Sequence, residues 1–520
     1  MEGQTGPNYQ SKPRAPASQD LLGLDLDRRP GAAPLFRQLG DGVRAALLSG
    51  TLAEGMRLPP EREMAAALGV NRTTVTRAYQ ELVADGLVEA RGSAGTVVLP
   101  PAGAVAPAPP EAPPWLLSLP ALGEGSLGPD PTLLRDVAAS MNAGLSLAAG
   151  TPGPDLLPVT ELTDCLQEGL AAWGREALGY GAVEGFGPLR EVIASRLGAG
   201  LVGPGDGVLV VSGATQGLAL VARALVEPGD DVVVEAPAYP GALQTFALAG
   251  ARLIGVPVDG DGIRTDVLEA VLVRRRVRLV VVQPTYHNPT GAVLSPGRRE
   301  RLLALARRFG VPILEDDPYH ELRFADTGPG PLKLADRSGA VIYLATFSKT
   351  VLPGLRVGWI AAAQPLLDRL VLAKQFSDLN TNATGQVMLA RFLESGRYEP
   401  HLRAMRSVYR QRSHRLRREL AGLAEHLEVP GPPGGGFYLW CRLRAGPQAR
   451  LLAALAAREG VAVVAGDAFG VGPVRSADRV RLSYSTCSPE VAPEAVRRLR
   501  AALEQLPATT VTGRDAPVVV

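Results

Sequence analysis

The chain has 520 residues, 46% of them hydrophobic and 20% charged, and a formal charge of +2. That length exceeds one ordinary core and predicts two or three domains, while near-neutrality excludes a chain that attracts polyanions along its whole length. Three widely spaced cysteines, Cys165, Cys441 and Cys487, without a C-x-x-C pair, argue against both a disulfide framework and a zinc site.

Residues 1–32 read as a disordered arm, polar and proline-containing, without the apolar segment of a signal peptide. No run of about 18 apolar residues occurs, as a membrane helix needs, so the expectation is a cytoplasmic protein with no membrane partner. Over residues 33–99 the pattern tightens. Leu35, Leu39, Val43, Ala46 and Leu47 recur at helical spacing, RLPPEREMAAALGV predicts a short second helix with a proline at its first position, and NRTTVTRAYQELVADG predicts a third. GLVEARGSAGTVVL reads as two short strands around a Gly-Ser-Ala-Gly turn. Residues 100–144 begin with PPAGAVAPAPPEAPPW, in which proline and alanine cannot pack a core and form a semi-rigid spacer.

Over residues 145–506, short β-branched runs alternate with helical patterns: GVLVVSG, TQGLALVARALVEPG, DVVVEAP, VRLVVVQP, VPILEDD and AVIYLATF. Continuous apolar strands between helices predict an α/β fold with a mostly parallel sheet covered on both faces, whose sites lie at the carboxyl ends of the strands. Residues 507–520 read as a frayed tail.

The order helix, turn, helix, wing in LPPEREMAAALGVNRTTVTRAYQELVADGLVEARGSAGTVV resembles the winged helix-turn-helix of the GntR superfamily. The resemblance implies binding to operator DNA. Asn71, Arg72, Thr73 and Thr74 open the recognition helix with short polar side chains and free amides for phosphates and base edges. Arg72 and Arg77 could read guanine in the major groove, Arg62 would meet the backbone, and Arg91 and Gly92 at the wing tip could reach the adjacent groove. Seven arginines stand against seven acids over residues 33–99. The domain is therefore not basic overall, dimerisation would supply the missing affinity, and a small helical dimerisation module is the alternative.

Only four of the 54 basic residues are lysine: Lys12, Lys333, Lys349 and Lys374. A guanidinium stays protonated, whereas an amine can lose its proton and attack a carbonyl, so a retained lysine hints at amine chemistry. TFSKTVLPGLRVGW around Lys349 resembles the cofactor-anchoring loop of fold-type I aminotransferases, and further motifs follow in that family's order over about residues 145–505. The resemblance implies pyridoxal 5'-phosphate carried by Lys349, its phosphate held by Arg356, Thr346 and Ser348 and, from SGATQG, by Ala214 and Thr215 at a helix start. It implies Asn288 of HNPTG and Tyr319 of EDDPYHEL at the ring hydroxyl, Asp316 at the ring nitrogen, where a carboxylate keeps the ring an electron sink, and Tyr239 stacked on the ring. Lys349, Asp316 and Tyr319 are then the catalytic candidates. Arg481 in RLSYS would hold a substrate carboxylate, and Tyr180 would reach the neighbouring subunit's cofactor phosphate, which implies a homodimer.

Joined in this order, the parts resemble the MocR-type transcriptional regulators. That implies a regulator that senses an amine, an amino acid or the cofactor itself. The alternative is an active aminotransferase of the 2-aminoadipate or kynurenine type carrying a DNA-binding domain, since Asn288 and the DDPY form are kept. A cofactor-free scaffold conflicts with the retained Lys349. No side-chain pocket is legible.

Overall fold

The computed structural model describes residues 26–48, 52, 55–92, 95–99, 145–197, 202–203, 205–472 and 476–507. The expected arm before residue 26, the spacer of residues 100–144 and the tail beyond residue 507 lie outside the described residues. Two compact units divide the chain.

In the first unit, α1 (Leu35–Leu48), α2 (Glu61–Leu68) and α3 (Arg72–Ala84) precede an antiparallel pair, β1 (Val88–Ala90) and β2 (Thr96–Val98). The helical period of the sequence becomes one core, in which Leu39, Val43, Met64, Val75 and Leu82 are fully enclosed. Buried Tyr79 donates its hydroxyl proton to the Pro59 carbonyl at 2.8 Å, which removes the cost of an unpaired phenol. Gly69, at φ 61, ends α2 in the left-handed region. Pro60 differs from expectation. It is the residue before α2, not its first helical residue, because its ψ of 143° is extended, and no side chain caps that helix. Ordered contacts also begin earlier than residue 33: Leu26 is buried, and Arg28 donates to the Leu68 and Gly69 carbonyls at 2.9 and 3.0 Å. Carbonyls at a helix end lack intrahelical partners, and a guanidinium supplies them.

The second unit is entered by β3 (Leu145–Ser146). Eight strands build its main sheet: β4 (Asp206–Val211), β5 (Asp231–Ala236), β6 (Arg252–Asp259), β7 (Gly262–Ile263), β8 (Val277–Val282), β9 (Ile313–Asp316), β10 (Val341–Thr346) and β11 (Gly358–Ala363). Their spatial order is β4-β11-β10-β9-β8-β5-β6-β7. The neighbours β10, β9, β8, β5 and β6 run parallel, while β11 is antiparallel to both β10 and β4. β5 and β10 are buried at every position, as continuous apolar runs require between two helical layers. A smaller sheet follows, containing β12 (Leu427–Glu428), β13 (Tyr438–Leu443), β15 (Val464–Ala465) and β16 (Arg479–Ser483), while the intervening β14 (Val461–Ala462) pairs with β3. Because β11 is antiparallel to both its neighbours, the carboxyl ends of β4, β5, β8, β9 and β10 open on one edge. Among the described residues, no helix is long and apolar enough to cross a membrane.

Candidate cofactor site and nucleic-acid interface

That edge gathers the residues expected there. The helix Ala214–Leu225 after β4 brings Ala214 and Thr215, the turn after β5 brings Tyr239, and the loop after β8 brings Asn288. β9 ends on Asp316, with Tyr319 just beyond, and β10 ends on Thr346, followed by Ser348 and Lys349. With Arg356 and Arg481 they line one cavity of about 450 Å³. Tyr180 is the exception, 90% exposed and outside the cavity wall.

Lys333 and Lys374 are bound to Asp206 and Asp378 at 3.1 and 2.6 Å. Lys349 has no such carboxylate. Its Nζ donates to the Gly150 carbonyl at 2.6 Å, and burial, with the nearby Arg481 next, lowers its pKa to about 8 against the pull of Asp316. About a tenth of it is thus an uncharged nucleophile at pH 7, far more than an ordinary lysine supplies. Opposite, Asp316 Oδ2 accepts from Gln283 Nε2 at 2.7 Å, whereas Oδ1 is buried without a partner among the described residues. Burial raises this carboxyl to about 7.

At the other end, Arg356 takes a left-handed φ of 52° and donates to the Ser212 carbonyl at 3.1 Å. That conformation costs a non-glycine residue about 1 kcal/mol or more. Gly213 makes the approach feasible, since a Cβ there would stand 2.6 Å from the guanidinium. The Ser348 amide donates to Thr346 Oγ1 at 3.1 Å, which shapes the turn beside the helix start. Amides of a first helical turn and a guanidinium together suit an anion.

Arg481, on the smaller sheet, donates to Asn288 Oδ1 at 2.9 Å and to the Ala148 carbonyl at 2.8 Å. Its guanidinium lies 4.2 Å from the Tyr438 ring centre, and its Nε is buried without a partner among the described residues. The Tyr319 and Tyr438 hydroxyls stand 3.1 Å apart. Burial raises Tyr319 well above the ordinary phenol range and Tyr239 to about 12, so both stay protonated.

Sequence reasoning missed four positions. Gln283 binds Asp316 through its amide nitrogen and accepts from the Asn288 amide at 3.0 Å through its oxygen. A polar residue closing the apolar run VRLVVVQ was its legible signal. Gly241 leaves room for the Tyr239 ring, 2.6 Å from where a Cβ would stand. Gly150 and Tyr438 carried no local signal, because their contacts come from distant segments.

In the winged helix, Arg62, Arg72, Thr73, Arg91 and Gly92 are exposed and Thr74 is half-buried. Two expectations change. The Asn71 side chain accepts from the Thr73 amide at 3.1 Å, so it caps α3 and is not free for a base. Arg77 is stacked 3.9 Å over the Phe36 ring and lies 3.8 Å from Glu81, so its guanidinium is engaged inside the domain. Arg72 Nε is 3.1 Å from Glu61, and Arg91 Nε is 2.6 Å from Glu89. Arg62 has no ion pair among the described residues.

The sequence matches the family of bacterial regulatory proteins of the gntR type over residues 35–98 and aminotransferase class I and II over residues 144–499. It is 31% identical over 491 residues to the HTH-type transcriptional regulator TauR of Rhodobacter capsulatus, spanning 91% of this chain and 97% of that protein. It is 31% identical over 415 residues to the probable rhizopine catabolism regulatory protein MocR of Rhizobium meliloti, spanning 75% and 78%. The chain belongs to the MocR-type transcriptional regulators. Among solved structures, the α-aminoadipate aminotransferase LysN of Thermus thermophilus matches the large unit of this MocR-type chain with a TM-score of 0.68, at 34% identity over 75% of this chain and 98% of that one. The cofactor of such a domain is pyridoxal phosphate. The cavity fits it: one wall holds an orphaned carboxylate oxygen, another an amine without a carboxylate partner, and a third an anion-ready helix start.

Proposed function

We propose that this protein regulates transcription by reading an amine or amino acid at a pyridoxal phosphate carried on Lys349 and by altering its hold on operator DNA in response. The observation that carries the reading is the pairing, in one cavity, of the unpartnered Asp316 Oδ1 with the carboxylate-free Lys349 amine.

The bound cofactor would supply a carbonyl for amine capture and an electron sink beyond it. The protein's own groups do the rest. Asp316, held by Gln283, would offer Oδ1 to the ring nitrogen, while Tyr319 and Asn288 would serve the ring hydroxyl and Tyr239 would cover the ring. Arg356, Thr346, Ser348 and the amides of Ala214 and Thr215 would hold the phosphate. Lys349 would carry the cofactor, and its amine, with a pKa lowered to about 8, could hold or release a proton in the same cavity. Arg481, already oriented by Asn288 and the Ala148 carbonyl, receives a carboxylate in bidentate fashion, and its unpartnered Nε gains an acceptor. Tyr180, 90% exposed, would reach a second copy's cofactor phosphate if the active form is a homodimer. On DNA, the exposed Arg62 and Arg72 would face the groove with Thr73 at the start of α3, and the wing residues Arg91 and Gly92 would lie beside them, while the Thr73 and Thr74 amides stay engaged by Asn71.

A second reading, a working aminotransferase, is favoured by one specific observation: no group needed for amine capture and proton transfer is missing from the cavity. Amino-group transfer assayed beside operator binding decides between them. Turnover of order 1 s⁻¹ or faster, with operator affinity indifferent to every amine tried, replaces the regulator reading. Slow or absent turnover with amine-dependent operator affinity supports it.

A further inference from the structure

A second cavity of about 330 Å³ lies behind the cofactor wall. It shares Thr346 and Pro318 with the first. One segment serves both: Asp316 and Tyr319 line the cofactor cavity, while Asp317, His320, Glu321 and Arg323 line this one.

Its charges are unevenly matched. Arg196 is engaged by Glu399 at 2.6 Å and Glu321 at 3.5 Å. Asp317 accepts from the Tyr343 hydroxyl at 2.9 Å and the His320 amide at 3.1 Å, with the His320 ring 3.4 Å away. Glu321 also accepts from the Tyr398 hydroxyl at 2.5 Å. Two half-buried guanidiniums are left over. Arg406 uses its Nε on the Glu321 carbonyl at 2.6 Å. Arg323 has a buried Nε with no partner among the described residues. Neither arginine has an ion pair among the described residues. They also act on each other, since burial first and then Arg323 lower the pKa of Arg406 against the pull of Glu321 and Glu399.

We propose that Arg323 and Arg406 bind a small anion, a carboxylate or a phosphate compound, in this second cavity. Two neighbouring guanidiniums removed from bulk water repel, Glu321 and Glu399 offset this only in part because both already serve Arg196, and the N–H groups of the pair match a carboxylate or phosphate. The cavity volume lies within the range of small-molecule sites. An occupant there would touch the segment that carries Asp316 and Tyr319, so it would act on the cofactor site from outside. The inference stands whichever reading of the first cavity holds.

The test uses the full-length protein loaded with cofactor, at fixed ionic strength, titrated calorimetrically with inorganic phosphate and separately with succinate. At least one should bind saturably, and the one that binds identifies the chemistry. Arg323→Gln should weaken it about tenfold or more, the loss expected for a charge-assisted contact, while the cofactor absorbance stays unchanged. Among the described residues the Arg323 side chain makes no ion pair and its Nε has no partner, so this variant is expected to fold, and Arg406→Gln should repeat the effect. Absence of saturable binding by both anions overturns the proposal. So does binding that is indifferent to Arg323→Gln but lost in Arg481→Gln, which places the anion in the cofactor cavity.

Discussion

Arg72 in the winged helix and Arg481 in the cofactor cavity are both candidate ligand-binding arginines, yet their surroundings are opposite. Arg72 is exposed and already leans on Glu61, as Arg91 leans on Glu89. Such exposed pairs are worth about 0–1 kcal/mol, so a DNA phosphate can take over either arginine at little cost. Arg481 is buried, held by Asn288 and Ala148, and retains one N–H without a partner. A buried unpaired group costs about 1–3 kcal/mol until something satisfies it. One surface is adaptable, with affinity spread over many weak contacts; the other is organised in advance, so that single groups decide the outcome.

The largest expected effects therefore lie in the cofactor cavity. Lys349→Ala should abolish borohydride fixation of the cofactor and leave a folded protein, and an adduct mapped to Lys333 or Lys374 would contradict the assignment. Gln283→Leu should weaken cofactor binding by about 10- to 100-fold, because it removes a buried hydrogen bond from Asp316 and another from Asn288. Equilibrium dialysis of the cofactor would show it, and unchanged affinity would mean that Asp316 does not need this partner.

Operator binding should respond more weakly to each change. Arg72→Ala should cost about 1–3 kcal/mol of discrimination at one base pair and leave the cofactor spectrum intact. Arg77→Ala should act on the stability of the winged helix, by about 0.5–1 kcal/mol, through lost stacking on Phe36. An Arg77→Ala protein with unaltered melting but much weaker operator binding would put that residue back in the groove.

The smallest effect is a shift along the pH axis. The uncharged amine of Lys349 is the reactive form, so cofactor capture should rise with pH and level off above about 8. Arg481 disfavours the ammonium, and Arg481→Gln should therefore move the inflection to higher pH. Stopped-flow absorbance measures it, and an unmoved inflection would remove Arg481 from the field acting on Lys349.

The sequence was most legible where chemistry sits at the end of an apolar run. VPILEDD and AVIYLATFSK place Asp316 and Lys349 at strand ends, and a parallel sheet brings such ends together whatever the lengths between them. Tyr438 and Gly150 were not legible, since they meet the site only when the smaller sheet and the entry segment close over it. Asn71 and Arg77 have local partners that the pattern does not show, since a helix start needs a cap and an exposed ring attracts a guanidinium. The second cavity draws on segments as far apart as Arg196 and Arg406, beyond any motif.

The central claim is that amine capture and operator binding are thermodynamically linked. Candidate amines should be titrated against the cofactor absorbance of the full-length protein, with and without saturating operator. For at least one amine the affinity should change about 5- to 150-fold on adding operator, and by reciprocity that amine should change operator affinity by the same factor. Equal affinities in both conditions for every amine that reaches the cofactor would contradict the account.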